Sequence, residues 1–209
     1  MLHCETIEPE TLGLLKNLQK INAFSDLRLV GGTSLALQIG HRKSIDIDLF
    51  GKISADNITV AKELDKIGNI TILKKSQNIN IYLINNIKVD IVNYHYPWVE
   101  KKIITDDIVL ASKKDIAAMK LAAITGRGTK KDFIDLFFLL KMYNLTEILN
   151  FYKEKYHDGS EFLVLKSLLY FEDAEKNETP EMIKQISWDI IKNNIINVVE
   201  NHIKSKNKI

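Results

Sequence analysis

The chain has 209 residues, 45% of them hydrophobic, and its formal net charge is only +2. This composition suits one domain or two small lobes, and the near-neutral charge does not by itself indicate nucleic-acid binding. A single cysteine, Cys4, excludes an internal disulfide and a cysteine-based zinc site. Because neither a signal-peptide pattern nor a long apolar segment is present, we expect a cytoplasmic protein without a membrane span.

The first half of the chain alternates predicted helices with predicted strands. An apolar repeat of three residues predicts an amphipathic helix near the start. Strict alternation in "SIDIDLFG" predicts a strand with its apolar side chains, Ile45 included, towards the core. Two later strands rich in isoleucine and valine are expected to meet in a hairpin turn at Asn85-Asn86. These elements predict an α/β or α+β sheet unit over residues 26–96.

The second half is predicted to be nearly all helix, from Lys113 onward. Ser112 is the expected N-cap of its first helix, with Asp115 three residues later in a pattern typical of a capping box. Pro180 is expected to open the last helix. The change in character predicts an N-terminal α/β lobe over residues 1–110 and a helical lobe over residues 111–209.

A pair of glycines, Gly31 and Gly32, separates a short predicted strand from a helix that Thr33 or Ser34 would cap and Gly40 would end. Glycine lets the backbone approach a ligand closely. The free N–H groups at the helix start and the two hydroxyls would form an anion site suited to phosphates. A tight turn is the alternative interpretation of the glycine pair.

Two aspartates in "SIDIDLFG", Asp46 and Asp48, fall on one face of the predicted strand because strand side chains alternate. Like charges repel, and a hard cation such as Mg²⁺ offsets them with oxygen ligands. Asp90, in "KVDIVNY", offers a third carboxylate, and such a set could hold two metals roughly 3.5 to 4 Å apart. A solvated sheet face is the alternative, but all three aspartates after a glycine pair favour a metal site.

The order of these motifs resembles the polymerase-β-like nucleotidyltransferase superfamily, with Gly-Gly-Thr-Ser before Asp-Ile-Asp and Asp90 at the third acidic position. Four blocks together resemble the AbiEii/AbiGii toxin family of abortive-infection and type IV toxin–antitoxin systems: "GGTSLALQIGHRKSIDIDLF", "KVDIVNY", "DIAAMKLAAITGRGTKKDFIDLFFLL" and "SLLYFEDAE". The resemblance implies a nucleotidyltransferase sheet lobe followed by a helical lobe. It also implies Mg²⁺-dependent nucleotide transfer from a nucleoside triphosphate, with Asp46, Asp48 and Asp90 binding the metal.

The resemblance implies further site residues in the helical half. Lys120 would meet the triphosphate, although a lysine in an apolar helix is usually extended towards solvent. The family's last polar motif falls on Arg127, Lys131, Asp132 and Asp135. Asp132 is the candidate base, whereas surface ion pairs are the alternative for both aspartates.

In the sheet half, the resemblance assigns Gly31, Gly32, Thr33 and Ser34 to the nucleotide. Members of the superfamily often have serine where Thr33 stands, and threonine keeps the hydroxyl. Arg42 would contact the triphosphate or acceptor, or else pair with an aspartate of the strand. Among the aromatic residues of "YHYPW", stacking on a base and packing between lobes are both open.

The resulting hypothesis is a toxin-like enzyme that uses a nucleoside triphosphate, modifies RNA at the tRNA 3′ end and is paired with an antitoxin. One alternative is a nucleotidyltransferase that acts on a protein or a small molecule. Another is a module that binds GTP or ATP without turnover. A third is an interaction protein with a decayed site.

Overall fold

A computed structural model describes residues 1–206 and shows the predicted mixture of a β-sheet and helices. The strands are β1 (Arg28–Leu29), β2 (Ile47–Gly51), β3 (Ile70–Lys75), β4 (Ile79–Ile84), β5 (Ile87–Asn93), β6 (Ile103–Thr105) and β7 (Ile108–Leu110). The α-helices are α1 (Pro9–Gln19), α2 (Gly31–Ile39), α3 (Asn57–Asp65), α4 (Lys113–Gly126), α5 (Lys130–Leu140), α6 (Leu145–Lys155), α7 (Glu161–Leu168), α8 (Glu172–Glu175) and α9 (Trp188–Lys206).

The chain divides into two compact units. The first comprises residues 1–96 and 101–111, and the second comprises residues 97–100 and 112–209. The first unit holds the whole sheet and the second unit is helical. Residues 207–209, which the sequence assigns to the helical lobe, lie outside the described residues.

The sheet has seven strands in the order β3-β4-β5-β2-β1-β7-β6. Strand β2 runs parallel to β5 and antiparallel to β1. Strands β4 and β5 form the predicted hairpin, and its turn residues Asn85 and Asn86 have φ values of 49° and 66°. Two adjacent residues with positive φ are typical of a two-residue hairpin turn, in which asparagine is favoured.

The core of the sheet unit follows from the alternation of the strands. Ile47 and Leu49 of β2 and Val89 and Ile91 of β5 are fully buried on one face. They belong to a single hydrophobic cluster that includes Leu15 and Leu18 of α1 and Leu64 of α3. The opposite face of β2 and β5 carries the polar residues, which is how the sequence alternation places the aspartates on the face away from this cluster.

The helical unit contains a group of packed aromatic rings and a buried ion pair. Phe133 packs against Phe171 and Trp188, with ring centroids 4.9 Å and 6.1 Å away. Lys155 and Asp115 are both fully buried and paired at 2.8 Å. Asp115 also accepts from the backbone N–H groups of residues 99 and 100, so its charge is well compensated.

Three local predictions about these elements are wrong. Ile45 is 66% exposed, because β2 begins only at Ile47 and the alternation does not extend back to it. Helix α2 begins at Gly31, with Val30 as its N-cap, so neither Thr33 nor Ser34 caps it. Pro180 opens no helix, since α9 begins at Trp188. The predicted N-cap Ser112 is confirmed, and its hydroxyl accepts from the N–H of Asp115.

Candidate active site

Two of the aspartates predicted to bind metal lie on one face of two neighbouring strands. Asp48 of β2 and Asp90 of β5 are directly opposite one another in the parallel register. Asp46 precedes β2 by one residue, and all three aspartates are half-buried. The structure therefore brings two of the predicted aspartates, Asp48 and Asp90, next to one another from distant parts of the chain, and Asp46 lies two residues before Asp48.

The glycine pair at the start of α2 lies directly against this face. A Cβ atom on Gly31 would overlap with the Oδ2 atom of Asp48, and Gly31 has a φ of 69°. A Cβ on Gly32 would overlap with the guanidinium group of Arg42. The backbone N–H of Val30 donates to the carbonyl of Asp48 at 2.8 Å. Only glycine allows the helix start to approach a carboxylate and a guanidinium this closely.

The hydroxyls and the arginine predicted to bind nucleotide are buried. Thr33 is 1% exposed, and its hydroxyl donates to the carbonyl of Asp46 and is hydrogen-bonded to the hydroxyl of Ser44, with the two oxygens 2.8 Å apart. Ser34 is fully buried and accepts from Gln38. Arg42 is 3% exposed and donates to the carbonyl of Lys43. These contacts fix the segment that carries Asp46 to the start of α2.

Lys88 is a member of this site that the sequence analysis did not identify. Its Nζ atom lies 2.8 Å from Asp90 Oδ1. Partial burial lowers the pKa of Lys88, but the hydrogen bond to Asp90 and the charges of Asp90, Asp46 and Asp48 together outweigh this effect and raise it. All three carboxylates therefore act on one ammonium group. Its position two residues before Asp90 on a strand, and so on the same face, was the signal available in the sequence.

The donor chemistry of this face fits magnesium, because Mg²⁺ prefers carboxylate oxygens. Within residues 1–206, however, no three histidine, cysteine, aspartate or glutamate side chains are grouped closely enough to hold one ion. One oxygen of Asp90 is already paired with Lys88. A metal at this face would therefore compete with the Lys88 ammonium for Asp90.

A second charged cluster lies within the helical unit, between α4 and α5. Lys120 Nζ is 2.9 Å from Asp132 Oδ1 and 2.6 Å from Asp135 Oδ2. Arg127 donates to both oxygens of Asp132, at 2.9 Å and 3.1 Å, and Thr129 donates to one of them at 2.6 Å. Both aspartates are fully buried, while the side chain of Arg127 remains 59% exposed.

The contacts of Asp132 decide how readily it takes a proton. Burial raises its pKa, but the charge of Lys120 and the contacts with Arg127 and Thr129 outweigh burial and hold the pKa of Asp132 well below its usual range. A carboxylate of this kind is a weak proton acceptor. Its geometry instead suits the orientation of Lys120 and Arg127. Lys131, which the sequence also assigns to the nucleotide, is half-buried in the first turn of α5.

The mixed sheet, the glycine-led helix and the paired aspartates on parallel strands are features of a nucleotidyltransferase. Among solved structures, a proposed nucleotidyltransferase of Helicobacter pylori is similar, with a TM-score of 0.61 at 18% identity over 96% of this chain and 98% of that one. MenT4, a nucleotidyltransferase toxin of Mycobacterium tuberculosis H37Rv, matches with a TM-score of 0.56 at 15% identity, over 90% of this chain and 80% of that one. These two likenesses support the fold.

The sequence comparisons give the family. The uncharacterized protein aq_aa25 of Aquifex aeolicus (strain VF5) is 35% identical over 176 residues, which are 81% of this chain and 85% of that protein. The model of the family "Nucleotidyl transferase AbiEii toxin, Type IV TA system" matches residues 13–201. The chain therefore belongs to the AbiEii nucleotidyltransferase toxin family, and the predicted family and enzyme class are confirmed.

Across residues 1–206, every helix is too short or too polar to cross a lipid bilayer.

Proposed function

We propose that this nucleotidyltransferase is a toxin that moves a nucleoside monophosphate from a nucleoside triphosphate to a hydroxyl of RNA, at the tRNA 3′ end, and depends on Mg²⁺. The observation that carries the proposal is the register of Asp48 with Asp90, with the start of α2 held against Asp48 at Gly31. A phosphate site next to paired carboxylates is the arrangement that phosphoryl transfer requires.

In the proposed reaction, the triphosphate lies at the start of α2, where backbone N–H groups and the helix dipole favour negative charge. The acceptor oxygen forms a bond to the α-phosphorus, the bond from that phosphorus to pyrophosphate breaks, and the hydroxyl proton passes to a carboxylate of the sheet face. Magnesium bound by Asp46, Asp48 and Asp90 would supply positive charge to the phosphates. Gly31 and Gly32 keep the helix start close enough to this face to position the phosphates.

The charged cluster of the helical unit supports an anion-binding role for some of its members. Arg127 is held by Asp132 and still exposes more than half of its side chain, as a phosphate ligand would. Lys120 and Asp132 are buried in mutual ion pairs, which supports a positioning role for Asp132 rather than the role of a base. The family implies a nucleoside triphosphate substrate and an antitoxin as partner.

Label transfer tests the proposal. The protein is incubated with each α-labelled nucleoside triphosphate, Mg²⁺ and total cellular RNA and protein. We expect label on a tRNA-sized RNA, lost at least about 100-fold in Asp90→Asn because one carboxylate of the paired set is removed. Ile104→Ala is the control, since Ile104 is an exposed residue on β6, at the far edge of the sheet from β5.

The other outcomes separate the alternative functions. Label on protein would overturn the RNA acceptor in favour of protein modification. Nucleotide binding without any label on RNA or protein would favour a binding module, or an enzyme for a small-molecule acceptor. Full activity in Asp90→Asn would contradict the role of the acidic face.

A further inference from the structure

Three aromatic rings continue along the sheet from the acidic residues. Phe50 lies two residues after Asp48 on β2, and Tyr94 directly follows β5. The ring centroids of Phe50 and Tyr94 are 5.4 Å apart, and those of Tyr94 and Tyr96 are also 5.4 Å apart. We call Phe50, Tyr94 and Tyr96 the aromatic ladder.

The aromatic ladder is on the same face as the carboxylates. Phe50 shares its face with Asp48 because strand side chains alternate. The contact between the rings of Phe50 and Tyr94 places Tyr94 there as well, and the N–H of Tyr94 donates to the carbonyl of Gly51 at 2.9 Å. The ladder therefore begins beside the paired aspartates and belongs to the sheet unit throughout.

The exposure of the ladder distinguishes it from core packing. Core aromatics of this unit are covered: Phe24 is 1% exposed and Tyr82 is 6% exposed. Phe50 and Tyr94 are half-buried, and Tyr96 is 47% exposed. Tyr96 is therefore the most exposed of the three rings and offers the most surface to a ligand.

The two ends of β2 differ in chemistry. Arg28 of β1 pairs with Phe50, and β1 then runs towards Asp48 and into the glycine-led start of α2. The helix start and the ladder therefore lie at opposite ends of β2, with Asp48 between them. If the triphosphate occupies the helix start, the ladder is available to the other reactant.

We propose that the aromatic ladder stacks the nucleobases at the single-stranded end of the RNA acceptor, an inference that rests on the proposed function. Every base offers a π-face, so a row of rings binds a strand with little sequence preference. A row of three rings can stack more than the single base that a nucleoside triphosphate carries. The exposed Lys52, which directly follows β2, adds a positive charge suited to the phosphates of a strand.

Fluorescence of 2-aminopurine tests this proposal, because stacking quenches it. A short single-stranded RNA with 2-aminopurine at its 3′ end is titrated into the full chain without nucleoside triphosphate. We expect quenching with the native protein and with Tyr96→Phe, which keeps the ring. In Tyr96→Leu and Tyr94→Leu we expect loss of quenching and a dissociation constant roughly tenfold higher. Ile104→Ala should match the native protein.

Each contrary result is informative. Unchanged quenching and affinity in both leucine variants would overturn the proposal, as would no RNA binding by the native protein. Weaker binding of 2-aminopurine riboside triphosphate in the leucine variants, with RNA binding unchanged, would assign the ladder to the nucleotide substrate instead. Because the titration needs no turnover, it is independent of label transfer. Label transfer to RNA by the native protein and equally by both leucine variants would refute the ladder but not the proposed function.

Discussion

The two clusters of aspartates differ in how their charge is compensated. On the sheet face, Asp48 and Asp90 are half-buried and act on Lys88, whose side chain is itself 40% exposed. In the helical unit, Asp132 is fully buried and accepts hydrogen bonds from Lys120, Arg127 and Thr129. A buried carboxylate that accepts this many hydrogen bonds has a structural role. A partly exposed carboxylate whose partner is one partly exposed lysine can still bind a ligand.

The largest expected difference in stability is between two single variants in which one aspartate of each cluster is replaced by asparagine. Asp132→Asn leaves Lys120 buried without its full counter-charge and should lower the free energy of unfolding by about 3 to 5 kcal/mol. Asp90→Asn frees a partly exposed lysine and should change the free energy of unfolding by less than about 1 kcal/mol. Chemical denaturation of both variants measures the difference. Equal losses in the two variants would refute the comparison.

Alanine substitutions at two glycines, Gly31 and Gly13, test whether the start of α2 must lie close to Asp48. Gly31→Ala adds a methyl group against Asp48 at a φ of 69°, so we expect a loss of stability of about 1 to 3 kcal/mol and of nucleotide affinity. Gly13→Ala is the matched control, because nothing lies within 4 Å of its added Cβ and Gly13 is inside α1. That change should stabilise the protein by about 0.5 to 1 kcal/mol.

Thermal unfolding and nucleotide titration of both alanine variants measure these effects. A Gly31→Ala protein as stable as the native one would show that Asp48 can move away from the helix start at little cost. The close approach would then be unimportant to the site.

A smaller effect is expected from removing the cation of the acidic face. If Mg²⁺ competes with Lys88 for Asp90, Lys88→Gln should increase Mg²⁺ affinity about fivefold, since one nearby charge in a solvated site acts with about 1 kcal/mol. Calorimetric titration of magnesium into the nucleotide-free protein measures this change. Lys66→Gln, at an exposed ion pair with Glu63, should leave the affinity unchanged. Weaker magnesium binding in Lys88→Gln would contradict the competition.

The smallest expected effect is the loss of stability in acid that follows from protonation of Glu161, which forms ion pairs with two lysines of the helical unit. Hydrogen bonds from Lys153 and Lys206 hold the pKa of Glu161 down to about 2 from its usual 4.5, and these ion pairs connect α7 to α6 and to α9. Because the folded-state pKa is lowered, this stabilisation is present above pH 4.5 and is lost as the pH falls towards 2. We expect a loss of up to about 1 kcal/mol, as for other solvent-exposed pairs.

Acid titration of unfolding stability, native against Glu161→Gln, measures that loss. The variant should lack the part of the acid destabilisation that Glu161 causes. Identical acid profiles would show that this ion pair contributes nothing measurable.

The acidic face could be predicted because it depends on alternation within strands and on pairing between them. The apolar residues on either side of Asp48 and Asp90 indicated which side of each strand is buried, and these apolar residues are fully buried in the structure. The prediction for Ile45 was wrong for a local reason: the alternation in the sequence starts at residues that precede the first residue of β2. Pro180 was equally misleading, because proline favours a helix start without requiring one.

The rest of the candidate site depends on contacts between residues distant in sequence, which one sequence does not reveal. Nothing in the order of residues shows that Arg42 is packed beside Gly32 and buried. Asp132 was predicted to be a base because it follows a basic pair. Burial raises its pKa, yet Lys120 on the preceding helix and Arg127 lower it by more. The ionisable residues could be identified from the sequence, but which of them neutralise one another could not.

The parallel pairing of β2 with β5 also has a consequence for the order of assembly. Strands β4 and β5 are joined by a two-residue turn and can meet early, whereas β2 must find β5 across an intervening helix and two strands. Contacts of large sequence separation form at a greater entropic cost and tend to form late. Asp48 and Asp90 become neighbours only when β2 pairs with β5. A Mg²⁺ ion that bridges the two carboxylates would therefore stabilise the last strand pairing to form, and Mg²⁺ added during refolding should speed or complete the formation of the sheet.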